Sequence, residues 1–161
     1  MSVNRELPHV FVLPEDDANV RLANEFHKQL DMNRLWRMQV LQVAGGWNEV
    51  LKAFESIHVA QMHRWPNRFM VLLIDFDNRE DRLGRARAVI PNPLADRVFV
   101  LGVLSEPENL KTDFGSYDRV GSGLAADCRD GTDITWGHRL LRHNAGELDG
   151  LRRCVRPFLF P

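Results

Sequence analysis

A chain of 161 residues and 18.6 kDa, 44% hydrophobic and 27% charged, has the size and balance of one globular domain with its own core, which excludes extensive disorder. A formal net charge of -1 gives no bulk attraction to nucleic acid or to an anionic membrane, so a polyanion would have to be held by a local patch. Two cysteines, Cys128 and Cys154, without CxxC spacing fit reduced thiols in a cytoplasmic protein. The opening MSVNRELPHV lacks the apolar stretch of a signal peptide, and no apolar run is long enough to span a bilayer, so no membrane partner is expected.

The segment HVFVLP, residues 9–14, reads as a first strand between Pro8 and Pro14. A helix over 17–30 follows, with Val20, Ala23, Phe26 and Leu30 on one stripe and Asp16 or Asp17 as its N-cap. WRMQVLQVA, 36–44, is a second strand, stopped by Gly45 and Gly46. A second helix over 47–60 turns Val50, Leu51, Phe54, Ile57 and His58 inward. FMVLLIDF, 69–76, is a third strand, and its unbroken apolar run predicts cover on both faces. NREDRLGRARAVI reads as a loop and short helix, and DRVFVLGVL, 96–104, as a fourth buried strand.

Beyond it EPENLKTDFGSY reads as a loop with a helical turn, 117–128 as a short helix, and WGHRLLRHN as a helix with Trp136 inward. A helix over 145–156 places Leu148, Leu151 and Val155 on one face and ends at Pro157. The closing FLF is apolar enough to require burial on the core or against a second subunit. The order of elements predicts a three-layer α/β fold: a mainly parallel four-stranded sheet with helices on both faces and a helical C-terminal third. It forms one domain, with no internal repeat or linker.

The apolar run MVLLIDFDN ends in two carboxylates, Asp75 and Asp77, and the first strand ends likewise at Glu15, Asp16 and Asp17. Parallel α/β sheets bind ligands beyond the carboxyl ends of their strands, and neighbouring strands lie about 4.8 Å apart. Glu15, Asp75 and Asp77 can therefore share one site, with alternation sending Phe76 to the opposite face from both aspartates. Carboxylates gathered without countercharge raise one another's pKa, and a hard cation such as Mg2+ or Mn2+ relieves the repulsion.

This arrangement resembles the TOPRIM fold of topoisomerases, primases and OLD-type nucleases, over about residues 9–112, with 113–161 as a helical extension. The resemblance assigns Glu15 general acid/base or metal duties and makes Asp75 and Asp77 Mg2+ ligands. In SEPENLK after the fourth strand, Glu106 or Glu108 would be a further ligand. The implied chemistry is metal-assisted phosphoryl transfer on a nucleic-acid phosphate. The family glutamate is commonly followed by glycine, where this chain has Asp16.

A rival resemblance is to the receiver domains of two-component signalling, with Asp16 and Asp17 as the acidic pair, Asp75 as phosphoacceptor and Ser105 after the fourth strand. A receiver also needs a lysine after a fifth strand, and Lys111 instead follows directly on the fourth. A third reading is a non-catalytic interaction module that uses its acids as loop caps.

Arg79, Arg82, Arg85 and Arg87 follow the aspartate pair. They either steer a polyanion to the site or alternate with Glu80 and Asp81 as a solvated face. Arg139, Arg142 and His143 either contact a phosphate near the acids or belong to a surface helix. Arg79, Arg82, Arg142 and His143 are thus the candidate substrate-binding residues, and nucleic acid, a second copy or another protein the candidate partners. His138 and His143 lack the spacing of a zinc helix, and AGGW, 44–47, lacks that of a phosphate-binding loop.

Overall fold

The computed structural model describes residues 2–161. Four strands form one all-parallel sheet: β1 (His9–Pro14), β2 (Met38–Val40), β3 (Arg68–Leu73) and β4 (Val98–Leu101), in the order β2-β1-β3-β4. Val12 pairs with Val40 on one side and Val71 on the other, and Leu73 with Leu101. β1 and β3 are therefore central, which is why their sequences run apolar without a break.

Alternation along the strands splits the core into two apolar layers. Val10, Val12, Val71, Phe99 and Leu101 face α1 (Asp17–His27), α5 (Pro107–Phe114), α6 (Tyr117–Asp130), α7 (Ala145–Cys154) and α8 (Arg156–Leu159). Phe11, Leu13, Met70, Leu72, Val98 and Val100 face α2 (Trp47–Ala53), α3 (Val59–Arg64) and α4 (Asp81–Ala88). The expected three-layer α/β fold with a helical C-terminal third is what the chain forms. α1 and α6 cross closely because Gly121 has no side chain; a Cβ there would come within 2.3 Å of Glu25 Cβ. Phe158, Leu159 and Phe160 are buried against the first layer, so the terminal FLF is covered by its own chain.

Several elements differ from their sequence signals. The helix after Gly46 runs on to Arg64 but passes through a π turn at Phe54–His58. That turn widens the helix and shifts its facing: Ile57 within it, expected inward, is 56% exposed, while Met62 beyond it is fully buried. β2 shrinks to Met38–Val40 behind a 3-10 stretch at Met32–Arg37, although Leu41 and Ala44 N–H still donate to Val12 and Pro14 carbonyls of β1. α5 is a full helix with Pro107 in its first turn rather than a loop.

WGHRLLRHN is not a helix: it is a run of turns with one 3-10 turn at Arg142–Asn144. Asp127 on α6 accepts the N–H groups of Thr135 (2.7 Å) and Trp136 (3.0 Å) and the Thr132 hydroxyl (2.6 Å). This diverts the backbone groups that would start such a helix. The helix before Pro157 ends, as expected, at Cys154, and Pro157 then sits in the first turn of the short α8.

The outer edge of β4 is closed by α7 and the turn before it. Val100 N–H donates to Glu147 Oε1 (2.8 Å), Gly102 N–H donates to Asn144 Oδ1 (3.1 Å), and Asn144 Nδ2 donates back to the Gly102 carbonyl (2.9 Å). Arg87 Nη2 holds both Glu147 oxygens at 2.6 and 2.7 Å. Among the described residues no helix is long and apolar enough to cross a membrane.

Candidate functional site

The chain leaves β1 toward β2 on one side, while β3 leads to β4 on the other, so the strand order reverses between β1 and β3. The loops diverging from that point open a crevice past the carboxyl ends of the two strands. Glu15 and Asp16 follow β1 directly, and Asp75 lies two residues past β3. Glu15 Oε2 accepts the Asp75 N–H at 2.6 Å. Asp16, the N-cap of α1, accepts the Asn19 N–H (3.1 Å) and Asn19 Nδ2 (3.2 Å) through one oxygen. The same Nδ2 donates to Asp75 Oδ1 at 3.1 Å, so one amide bridges the Asp16 and Asp75 carboxyls.

Electrostatics follow from that crowding. Burial, reinforced by the charges of Asp16 and Glu15, pushes the Asp75 carboxyl up to about 8 against the opposing Asn19 hydrogen bond. At neutral pH Asp75 therefore keeps its proton and shares a hydrogen bond with Asp16. Glu15 is also raised, by burial first, with the Asp75 N–H bond and Arg82 opposing and the Asp16 and Asp77 charges adding.

Asp77 does not join this group. The backbone turns left-handed at Asp77 (φ 49°) and Asn78 (φ 56°), which ends the strand alternation. Asp75 thus meets α1 on one face, while Asp77 Oδ2 pairs with Arg82 Nη2 of α4 (2.9 Å) on the other. Arg82, a sequence candidate for substrate binding, is 6% exposed: Nη1 donates to the Asp75 carbonyl and its guanidinium lies 4.6 Å over the Trp47 ring. Arg82 instead braces the Asp75–Asp77 segment.

The remaining candidates are dispersed. Arg79 forks onto Asp81 (3.2 Å for both bonds) on an exposed face that Arg85 shares. Arg142 is exposed. His143 stands edge-on to Phe76, ring centroids 4.8 Å apart, with both ring nitrogens buried; burial lowers its pKa. Glu106 is exposed at the N-cap of α5 and caps nothing with its side chain. Glu108 lines an open groove with Arg21, Lys111 and Tyr117, and its charge reaches the Tyr117 phenol along with those of Asp16 and Asp75.

The site's donors are all oxygen, which suits Mg2+ or Mn2+ over soft metals. Fully buried Asn19 carries a further, unpartnered oxygen, Oδ1, on the amide that bridges the two acids. Among the described residues no three acidic, histidine or cysteine groups already stand in a metal-holding arrangement. Glu15, Asp16 and Asp75 would have to close on an ion, and Asp77 would have to leave Arg82 to reach it.

Asn19 is a site residue that the strand-end pattern does not mark, and Asp16, expected as a helix cap, is both cap and site residue. A sequence signal exists for Asn19: it is the polar member of the buried α1 positions that also include Leu22 and Ala23. Compared with protein-family models, curated proteins and solved structures, the chain matches none.

Proposed function

We propose that the chain is a TOPRIM-like domain that binds Mg2+ or Mn2+ at Glu15, Asp16 and Asp75, with Asp77 reaching the ion only on release from Arg82, and acts in phosphoryl transfer on nucleic acid. The observation that carries this reading is the convergence of Glu15, Asp16 and Asp75 at the reversal of strand order, with Asp75 driven to about 8 by burial and by the neighbouring Asp16 and Glu15 charges. A divalent cation there supplies charge stabilisation for a phosphate's attacking and leaving oxygens. Asp75 would give up its proton to hold such an ion, Asn19 keeps Asp16 and Asp75 aligned, and Glu15, its carboxyl raised by burial, is placed to take part in proton transfer.

The test is Asp75→Asn with Asp77→Asn, assayed for Mg2+-dependent cleavage of a labelled oligonucleotide and for a Mg2+-induced rise in melting temperature. Both responses are expected in the wild type and lost in the double variant. Cleavage unchanged in the variant overturns the catalytic reading.

A receiver-like phosphoacceptor at Asp75 is the second reading, favoured by the same placement of Asp75 beside Asp16. Against it, Glu147 and Asn144 take the β4 edge where a lysine-bearing fifth strand would pair. An acetyl-phosphate adduct on Asp75, seen by intact mass, would reinstate it.

A further inference from the structure

We propose that the groove walled by Arg21, Lys111 and Tyr117 beside the acidic cluster is a phosphate-binding subsite for single-stranded nucleic acid or a free nucleotide. It rests on the metal reading only for the fate of the bound phosphate, since binding itself uses these side chains.

Arg21 lies one turn into α1, Lys111 on α5 and Tyr117 at the start of α6, so three elements meet at the same end of the sheet as Asp16 and Asp75. The Arg21 guanidinium sits 4.6 Å from the Tyr117 ring centroid and the Lys111 ammonium 5.4 Å from it. The buried ring thus holds two cations over its face, the electrostatic attraction of a cation to an aromatic quadrupole.

Neither cation is paired with a carboxylate among the described residues, whereas Arg79, Arg82, Arg87, Arg129 and Arg152 all are. Glu108 and Thr112 share the groove without bonding either cation. The groove encloses about 590 Å³ and opens to solvent. That lies within the roughly 300–1,000 Å³ typical of small-molecule sites, more than a lone phosphate needs and enough for a nucleotide unit.

The charges have a directional sense. Burial first, and then the charges of Glu108, Asp16 and Asp75 against that of Arg21, raise the Tyr117 phenol, so the ring lies within reach of both the groove cations and the acids at the strand ends. A phosphate drawn to Arg21 and Lys111 would be delivered next to the carboxylates, while those carboxylates would repel a second anion.

The test uses the full chain and fluorescence anisotropy of a fluorescein-labelled 12-nucleotide single-stranded DNA, with unlabelled thymidine monophosphate as competitor, in EDTA and in Mg2+. Arg21→Gln with Lys111→Gln, both exposed and therefore compatible with folding, should weaken DNA binding at least tenfold in either buffer. It should also flatten the salt dependence by about one to two phosphate contacts. Tyr117→Phe should bind as wild type, and Tyr117→Leu should lose part of the affinity as the cations disperse. Competition by the monophosphate assigns the site to free nucleotides, and its absence to the strand.

Wild-type binding by the double variant, or no binding of either probe by the wild type, overturns the proposal. If binding depends on the two cations but the wild type shows no Mg2+ response, the metal reading falls alone. A Mg2+ response with cation-independent DNA binding leaves the metal reading and removes the groove.

Discussion

Replacing Asp75 by asparagine should change how stability depends on pH more than stability itself. In the unfolded chain the carboxyl titrates at 3.8, and in the crevice it titrates at about 8. The folded state thus holds the proton more tightly, so this group's contribution is full below 3.8 and is lost as pH rises through about 8. At about 1.4 kcal/mol per pH unit the ceiling on that loss is about 6 kcal/mol. Water reaching the half-buried Glu15 side of the crevice reduces it to about 2–3 kcal/mol.

The asparagine of the Asp75→Asn variant is neutral at every pH, and its amide can still donate to Asp16. Urea unfolding of both proteins at pH 5 and pH 9 should show the wild type losing about 2–3 kcal/mol relative to the variant. Millimolar Mg2+ at the higher pH should restore the wild type only, by about 2.7 kcal/mol if it reaches a hundred times its dissociation constant. Parallel curves for the two proteins would refute the reasoning, because Asp75 would then titrate as an ordinary surface carboxylate.

Asp127→Ala leaves the Thr135 and Trp136 N–H groups and the Thr132 hydroxyl without their buried acceptor, and should cost about 3–5 kcal/mol in chemical denaturation. A loss under about 1 kcal/mol would mean that the 131–141 turns hold without it. Burial lowers His9, whose Nδ1–H donates to the Leu7 carbonyl while Nε2 accepts from Arg68 Nε, and burial likewise lowers His58 and His143. The neutral rings contribute stability that is full above 6.5 and fades as pH falls through their lowered folded values. NMR titration of the His9 ring should show its midpoint below 6.5, and a midpoint at or above 6.5 would refute the buried neutral assignment.

The layers of the fold were legible because strand and helix periods are local. HVFVLP and FMVLLIDF carry their burial in their own composition, and Asp16 is recognisable as a cap from the helix it precedes. What escaped depended on distant partners or on irregular backbone. Ile57 lies inside a π turn that no periodicity announces, and WGHRLLRHN loses its helix to Asp127, several residues upstream. Likewise the meeting of Glu15 with Asp75 follows from strand order, whereas the departure of Asp77 follows from a left-handed turn and a buried arginine. Asn19 was visible only as a polar intruder in an apolar stripe.

The side chains of Glu147 and Asn144 do for β4 what a neighbouring strand would do, and assembly is constrained as a result. An incoming extended segment finds no row of idle donors on that flank to zip onto. Sideways growth of the sheet is left to the three-residue margin of β2, too short for a firm seam. Strand addition at the β4 flank is thereby closed by side chains of the same domain.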